Sequence, residues 1–168
     1  MTNTIKISTY HHQYQAQVVE LILKIQQQEL GLSITLEEQP DLLIIPSFYQ
    51  KGNGNFWIAL DGDNVIGTIG AIDMGDNCYL ALRKMFVDVN YRGKYGIGKK
   101  LMDSLVSHAK TNNVREIYLG TIGNFKGALR FYEKNGFLPV SKSKLPPSFP
   151  VMEKDNLFYC LTVSTCPS

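Results

Sequence analysis

Cysteine is scarce: three in 168 residues (Cys78, Cys160, Cys166), widely spaced and without a CxxC pair. This excludes a disulfide framework and a zinc ribbon. It fits a reduced compartment, so a cytoplasmic protein is expected. Long apolar runs are missing as well. Nothing nears the roughly 18 consecutive apolar residues of a membrane helix, and the opening MTNTIKISTYHH has no apolar signal core. Neither export nor a membrane partner is expected. Charge of one sign is not in excess, and a net +2 offers no broad surface for nucleic acid. Histidine is rare, and His11, His12 and His108 lack ligand spacing, so no metal site is expected. Linkers, repeats and low-complexity tracts are lacking too. The length suits one domain over 1–168 that buries its own core.

What is present is a succession of strand and helix signals. Ile5 to Ser8 alternates as a strand. From Gln13 to Leu30 apolar residues (Val18, Leu21, Ile22, Ile25) recur at helical spacing, with Gly31 placed as a C-cap. Pro40 and Pro46 break the next stretch, where Leu42 to Ile45 reads as a short helix or an irregular wall. Phe56 to Leu60 and Val65 to Ile72 read as a hairpin around Asp61-Gly62-Asp63-Asn64. A turn at Gly75-Asp76-Asn77 leads to a strand from Cys78 to Val89. A helix from Ile97 to Thr111 follows, then a strand from Glu116 to Thr121, a helix from Phe125 to Asn135, and strands at Phe137–Val140 and Asn156–Val163. The strand-helix-strand step around Ile97–Thr111 requires a parallel pair. The expected fold class is α/β in the broad sense: an α+β mixed sheet of about seven strands flanked by about four helices.

The most informative stretch is KMFVDVNYRGKYGIGKKL, Lys84 to Leu101. A β-favouring run passes into a turn with Gly93, Gly96 and Gly98, and a helix begins at once. Such an arrangement leaves main-chain N–H groups free at the positive end of a helix dipole, which suits an anion. Arg83, Lys84, Arg92, Lys94, Lys99 and Lys100 crowd the same stretch, so the whole run reads as a phosphate cradle. Two nucleotide motifs fit poorly. The dinucleotide fingerprint would need a small residue where Leu101 stands. The Walker A spacing from Gly93 to Lys99 would need Ser or Thr where Lys100 stands, and an ammonium there repels magnesium.

The run VDVNYRGKYGIGKKLMDSL, followed after a strand by ALRFYEKNGF, resembles the GNAT family of N-acetyltransferases. The resemblance extends to the order of elements from Ile5 to Val163. It implies acetyl-CoA as co-substrate, with no metal, and direct transfer of acetyl to a primary amine, expected to be that of a small molecule. Homodimers are common in that family. The loop carries one residue more than the family pattern, so Arg92 lies one place early. Phe125 stands where Asn is usual, with Asn124 adjacent.

The resemblance implies these roles. Main-chain amides from Arg92 through Gly93, Lys94, Tyr95, Gly96, Ile97 and Gly98 to Lys99 hold the diphosphate, helped by the Lys94 and Lys99 side chains. Main-chain groups of Phe86 and Val87 face the pantetheine arm, their side chains being core. Asn124 flanks the ligand. Tyr132 is the general acid: periodicity alone makes it packing, but its place in Phe131-Tyr132-Glu133-Lys134-Asn135-Gly136-Phe137 makes it the proton donor. Glu37, Glu38, Asp73 and Asp76 are open as the base, and none is singled out. Trp57, Phe48, Tyr49, Tyr79 and the Leu145–Asp155 loop are candidates for an acceptor wall, and Cys78 reads as a buried strand thiol. A non-catalytic CoA-binding module of the same fold is the alternative reading.

Overall fold

The computed structural model describes residues 4–75 and 78–163. Asp76, Asn77 and Cys166, which entered the reading above, lie outside the described residues. Every segment expected to be a strand pairs into one sheet. β1 (Ile5–Thr9), β2 (Asn55–Asp61), β3 (Asn64–Asp73), β4 (Tyr79–Val87), β5 (Glu116–Thr121), β6 (Leu138–Val140) and β7 (Leu157–Thr162) lie in the order β1-β2-β3-β4-β5-β7-β6. β4 and β5 run parallel, joined by the crossover helix α3 (Ile97–Thr111), and the other neighbours are antiparallel. Asp61 pairs with Asn64 across a two-residue turn, where Gly62 takes φ +62° at no steric cost.

Alternation decides which side chains meet which layer. Trp57, Ala59, Leu80, Leu82, Ile117 and Leu119 face α3 and α4 (Lys126–Lys134). There Ile97, Leu101, Leu105 and Ala109 form the buried stripe that their four-residue spacing required. Each fully buried aliphatic side chain contributes about 1.5–3 kcal/mol. Phe56, Ile58 and Leu60 face the other way, against α1 (Gln15–Leu23) and α2 (Ile45–Phe48). On that second face, toward β7, Ala81, Tyr118, Phe158 and Cys160 pack under Phe149 from the β6–β7 loop.

Two elements differ from expectation. The first long helix is α1 followed by a π-helical turn at Lys24–Glu29, ended by Gly31 at φ +64°. Apolar spacing cannot distinguish such a turn from α-helix; the wider winding goes with Gln26 turned inward, where it is only 5% exposed. The short helix expected over Leu42–Ile45 is a 3₁₀ turn at Pro40–Leu43 followed by α2. Pro46 occupies the first turn of α2, where its missing N–H costs nothing. Cys78 is half-buried and lies before β4 rather than inside it, so the expected strand thiol is corrected to a pre-strand residue. Its carbonyl accepts the Arg115 N–H at 2.7 Å.

Candidate active site

The glycine turn forms as its residues demand. Gly93 (φ +73°) and Gly96 (φ +63°) are left-handed, a conformation that costs an L side chain roughly 1–2 kcal/mol, and open space surrounds both. Gly96 is the N-cap of α3, its carbonyl accepting the Lys100 N–H at 2.9 Å. Among the described residues, the N–H groups from Gly93 through Lys99 meet no protein acceptor. Those of Ile97, Gly98 and Lys99 point out of the helix end. Gly98 serves a second purpose: a Cβ there would lie 3.2 Å from the Phe131 ring, so its absence lets α4 close against the start of α3. The arrangement is chemically suited to a diphosphate.

Beside this turn the sheet opens. β4 and β5 pair at Tyr79–Glu116, Leu80–Ile117 and Ala81–Tyr118, and then part, although both strands continue. β4 also carries an extra residue against β3: Gly70 pairs with Arg83 but Thr68 with Phe86. This bulge puts Lys84 at φ +56°, and Thr68 Oγ1 donates to its carbonyl at 2.7 Å. The consequence is a strand edge whose main-chain groups past Ala81 have no partner on β5.

The bulge sends Lys84 away from the glycine turn. Its side chain is only 7% exposed and donates to Gln39 Oε1, with Asp41 at 4.0 Å. Gln39 exchanges hydrogen bonds with Gln26 from the π-helical turn at 2.9 and 2.8 Å. Tyr49 donates to Asp41 at 2.6 Å. Burial lowers the Lys84 ammonium to about 8, with Asp41 opposing the fall and Arg83 adding to it. Burial also raises the Tyr49 phenol well above its ordinary value. The sequence cluster of six basic residues is therefore not one cluster in space. Arg83 and Lys84 lie on the second face, and the cradle reading is corrected to the stretch beyond Arg92.

Tyr132 is buried among Phe131, Phe137 and Tyr159, with ring centroids 5.8 Å from Phe137. Among the described residues its hydroxyl has no hydrogen-bond partner. Burial, and then the negative charge of Asp155, push its pKa up to about 12. Asp155 is half-buried in the β6–β7 loop, its carboxylate packed against Gly120 of β5. Burial raises its pKa; the Met152 backbone and then Arg83 pull the other way.

Other expected site residues fall in varied places. Arg92 does not offer its guanidinium to the turn: Nη1 and Nη2 bond Glu29 at 2.5 and 2.8 Å, and Nε donates to the Val87 carbonyl at 2.8 Å. Its N–H reaches the Val89 carbonyl at 3.4 Å, so the run of free amides begins at Gly93. Lys94 and Tyr95 are exposed, and Lys99 bonds Asp103 at 2.6 Å on the helix surface. Asn124 is exposed in the β5–α4 turn. Phe86 and Val87 are half-buried, on opposite faces of the sheet.

Trp57 packs edge-on against His108 of α3, far from the opening, and His108 is a half-buried donor to the Asn53 carbonyl at 2.9 Å rather than a surface residue. Asp73 accepts the Asn53 and Gly75 N–H groups and Glu38 accepts that of Thr35, so both are turn caps. Of the charged residues on the second face, the sequence reading left Asp41 unmarked, assigned Arg83 and Lys84 to the cradle, and included Asp155 only as the end of the Leu145–Asp155 wall. The signal for Arg83 was strand alternation, which puts it on one face with Ala81. A surface groove of about 470 Å³ between Trp57 and α3 collects no such chemistry. Among the described residues, no three metal-binding side chains gather, and no helix is long and apolar enough to cross a membrane.

A family model described as an acetyltransferase (GNAT) domain matches residues 52–139, from the turn before β2 into β6. The chain belongs to the GNAT acetyltransferase family. A GNAT acetyltransferase from Staphylococcus aureus Mu50 shares 41% identity and superposes with a TM-score of 0.91, over 96% of this chain and 100% of that one. N-acetylaspartate synthetase of Danio rerio is 34% identical over 105 residues, 62% of this chain and 37% of the enzyme. The chain thus spans under two fifths of that relative's length. An acetyltransferase from Salmonella typhimurium solved with its cofactor acetyl-CoA shares the GNAT fold, at 14% identity and a TM-score of 0.75, over 98% of this chain and 97% of that one.

Proposed function

We propose that the chain, acting as a single domain over 1–168, transfers the acetyl group of acetyl-CoA directly to the primary amine of a small-molecule acceptor in the cytoplasm. The observation that carries this reading is the opening between β4 and β5 directly beside a turn of free amides. The Salmonella protein's cofactor and the small product named in N-acetylaspartate synthetase support it.

The amides from Gly93 to Lys99 hold the diphosphate, with Lys94 and Lys99 beside it and Asn124 at the rim. Phe86 and Val87 present main-chain groups to the pantetheine arm. The Val87 carbonyl is already held by Arg92, so its N–H is the freer partner. When bound, acetyl-CoA supplies an acetyl group activated as a thioester. An N–H from the β4 edge polarises the acetyl oxygen where charge develops. As the C–N bond forms and the C–S bond breaks, Tyr132 gives its hydroxyl proton to sulfur. The ammonium loses two protons in all: one restores Tyr132 and the other leaves to solvent. A phenol at about 12 stays protonated at neutral pH. Its mismatch with a thiol near 8.5 narrows, because the same burial raises the thiol too.

Thiol release from acetyl-CoA against a panel of amines tests the proposal, alongside thermal shifts with CoA. Release with at least one small amine is expected. Stabilisation by CoA without any release would leave a binding module; neither signal would end the reading.

A further inference from the structure

Besides the paired Lys84 and Asp41, the face of the sheet opposite α3 holds two charged groups that the chemistry above does not use. The last β4–β5 pair is Ala81 with Tyr118. Two residues onward along each strand, on that same face, stand Arg83 and Gly120. The Asp155 carboxylate fills the place that a side chain on Gly120 would take. The opening is therefore flanked by a cation on β4 and an anion lying on β5.

Both groups are available. Arg83 is half-buried, and among the described residues its guanidinium makes no hydrogen bond or ion pair. A guanidinium drawn out of bulk water without an acceptor is costly, and its planar fork matches a carboxylate. The other polar groups nearby are occupied: Lys84 by Gln39, and Tyr49 by Asp41. Asp155 forms no ion pair either, although the charge of Arg83 reaches it. An anion at Arg83 and a cation at Asp155 would each be satisfied by a ligand carrying both.

We propose that the acceptor is an amino acid or a close analogue, its carboxylate held bidentately by Arg83 and its ammonium set against Asp155, which takes the first proton. The proton moves from the ammonium nitrogen to a carboxylate oxygen, leaving a neutral amine and a neutral acid. Asp155 returns it to solvent once the acetyl group has moved. The proposal rests on the acetyl-transfer reading above and narrows its acceptor.

The test compares the common amino acids with their carboxamides and with the corresponding decarboxylated amines. The full chain is followed by thiol release and, in the presence of CoA, by calorimetric titration of the acceptor. At least one amino acid is expected to exceed its carboxamide in kcat/KM by about 10- to 100-fold, the worth of a charge-assisted pair. Arg83→Gln should raise the KM of that acid far more than it lowers kcat, bring the acid-to-amide ratio near one, and abolish the calorimetric signal. Arg83→Lys should restore part of it. An unchanged thermal shift with CoA shows that the variant folds. Carboxamides or plain alkylamines serving as well as the acids, or an unaltered ratio in Arg83→Gln, overturns the proposal while leaving acetyl transfer in place. Absence of both thiol release and CoA stabilisation would instead sink the broader reading.

Discussion

The two sides of the β4–β5 opening are built by different means. On the α3 side the polar groups are main-chain amides, exposed because Gly93 and Gly96 adopt left-handed angles and α3 starts at once. On the other side the polar groups are side chains (Arg83, Lys84, Asp41, Tyr49, Asp155) drawn from β4, the α1–β2 segment and the β6–β7 loop. A site made of backbone tolerates most side-chain changes and fails when a glycine goes. A site made of buried side chains fails with single-atom changes. The contrast is open to experiment.

The largest effect belongs to Tyr132. Tyr132→Phe removes one oxygen and should lower kcat by about 10²–10⁴-fold, the usual worth of a positioned proton donor, while the CoA-induced thermal shift stays put. An unchanged kcat would take the acid role from Tyr132 and leave it as packing.

Next is Lys84. Lys84→Met leaves the buried Asp41 and Gln39 without their cation and should cost about 3 kcal/mol in denaturant unfolding. Adding Asp41→Asn should recover part of that loss. The pH dependence has a definite sign. Folded Lys84 titrates near 8 and the unfolded side chain near 10.5, so the unfolded state holds the extra proton between those values. Wild-type stability relative to Lys84→Met should therefore be lowest below pH 8 and climb toward pH 10.5. A flat difference would mean that the ammonium is not desolvated.

Gly96→Ala forces a side chain into φ +63°, costing roughly 1–2 kcal/mol, and should weaken CoA binding about tenfold with little change in acceptor KM. Lys94→Ala should do less. The smallest effect expected is that of Glu29→Gln. It loosens a half-exposed ion pair worth about 1 kcal/mol or less, and added salt should mask it. A large loss of CoA affinity in Glu29→Gln would show that Arg92 positions the turn more firmly than its exposure suggests.

The amide side was legible in the sequence because glycines at a strand-to-helix junction have few other reasons to be there. The places of the strands along the chain followed from β-favouring runs between turn signals, and the parallel pair from the length of its crossover. The opposite side was not legible. Arg83 and Lys84 sit in a run of basic residues, and nothing in composition shows that one alternates onto the far face while the other occupies a bulge. The π-helical turn at Lys24–Glu29 shares its apolar spacing with ordinary helix, so the inward turn of Gln26 was invisible. Asp155 lay in what reads as a polar loop. Its position depends on Gly120, thirty-five positions earlier, having no side chain.

The parallel seam holds a last consequence. β4 and β5 share register only at Tyr79–Glu116, Leu80–Ile117 and Ala81–Tyr118, so the sheet is two rafts riveted at one end. Anything lodged between their free ends acts as a spline, stiffening the two rafts against each other. A ligand seated there would lend mechanical continuity to the middle of the sheet, and its departure would leave the sheet at its most compliant.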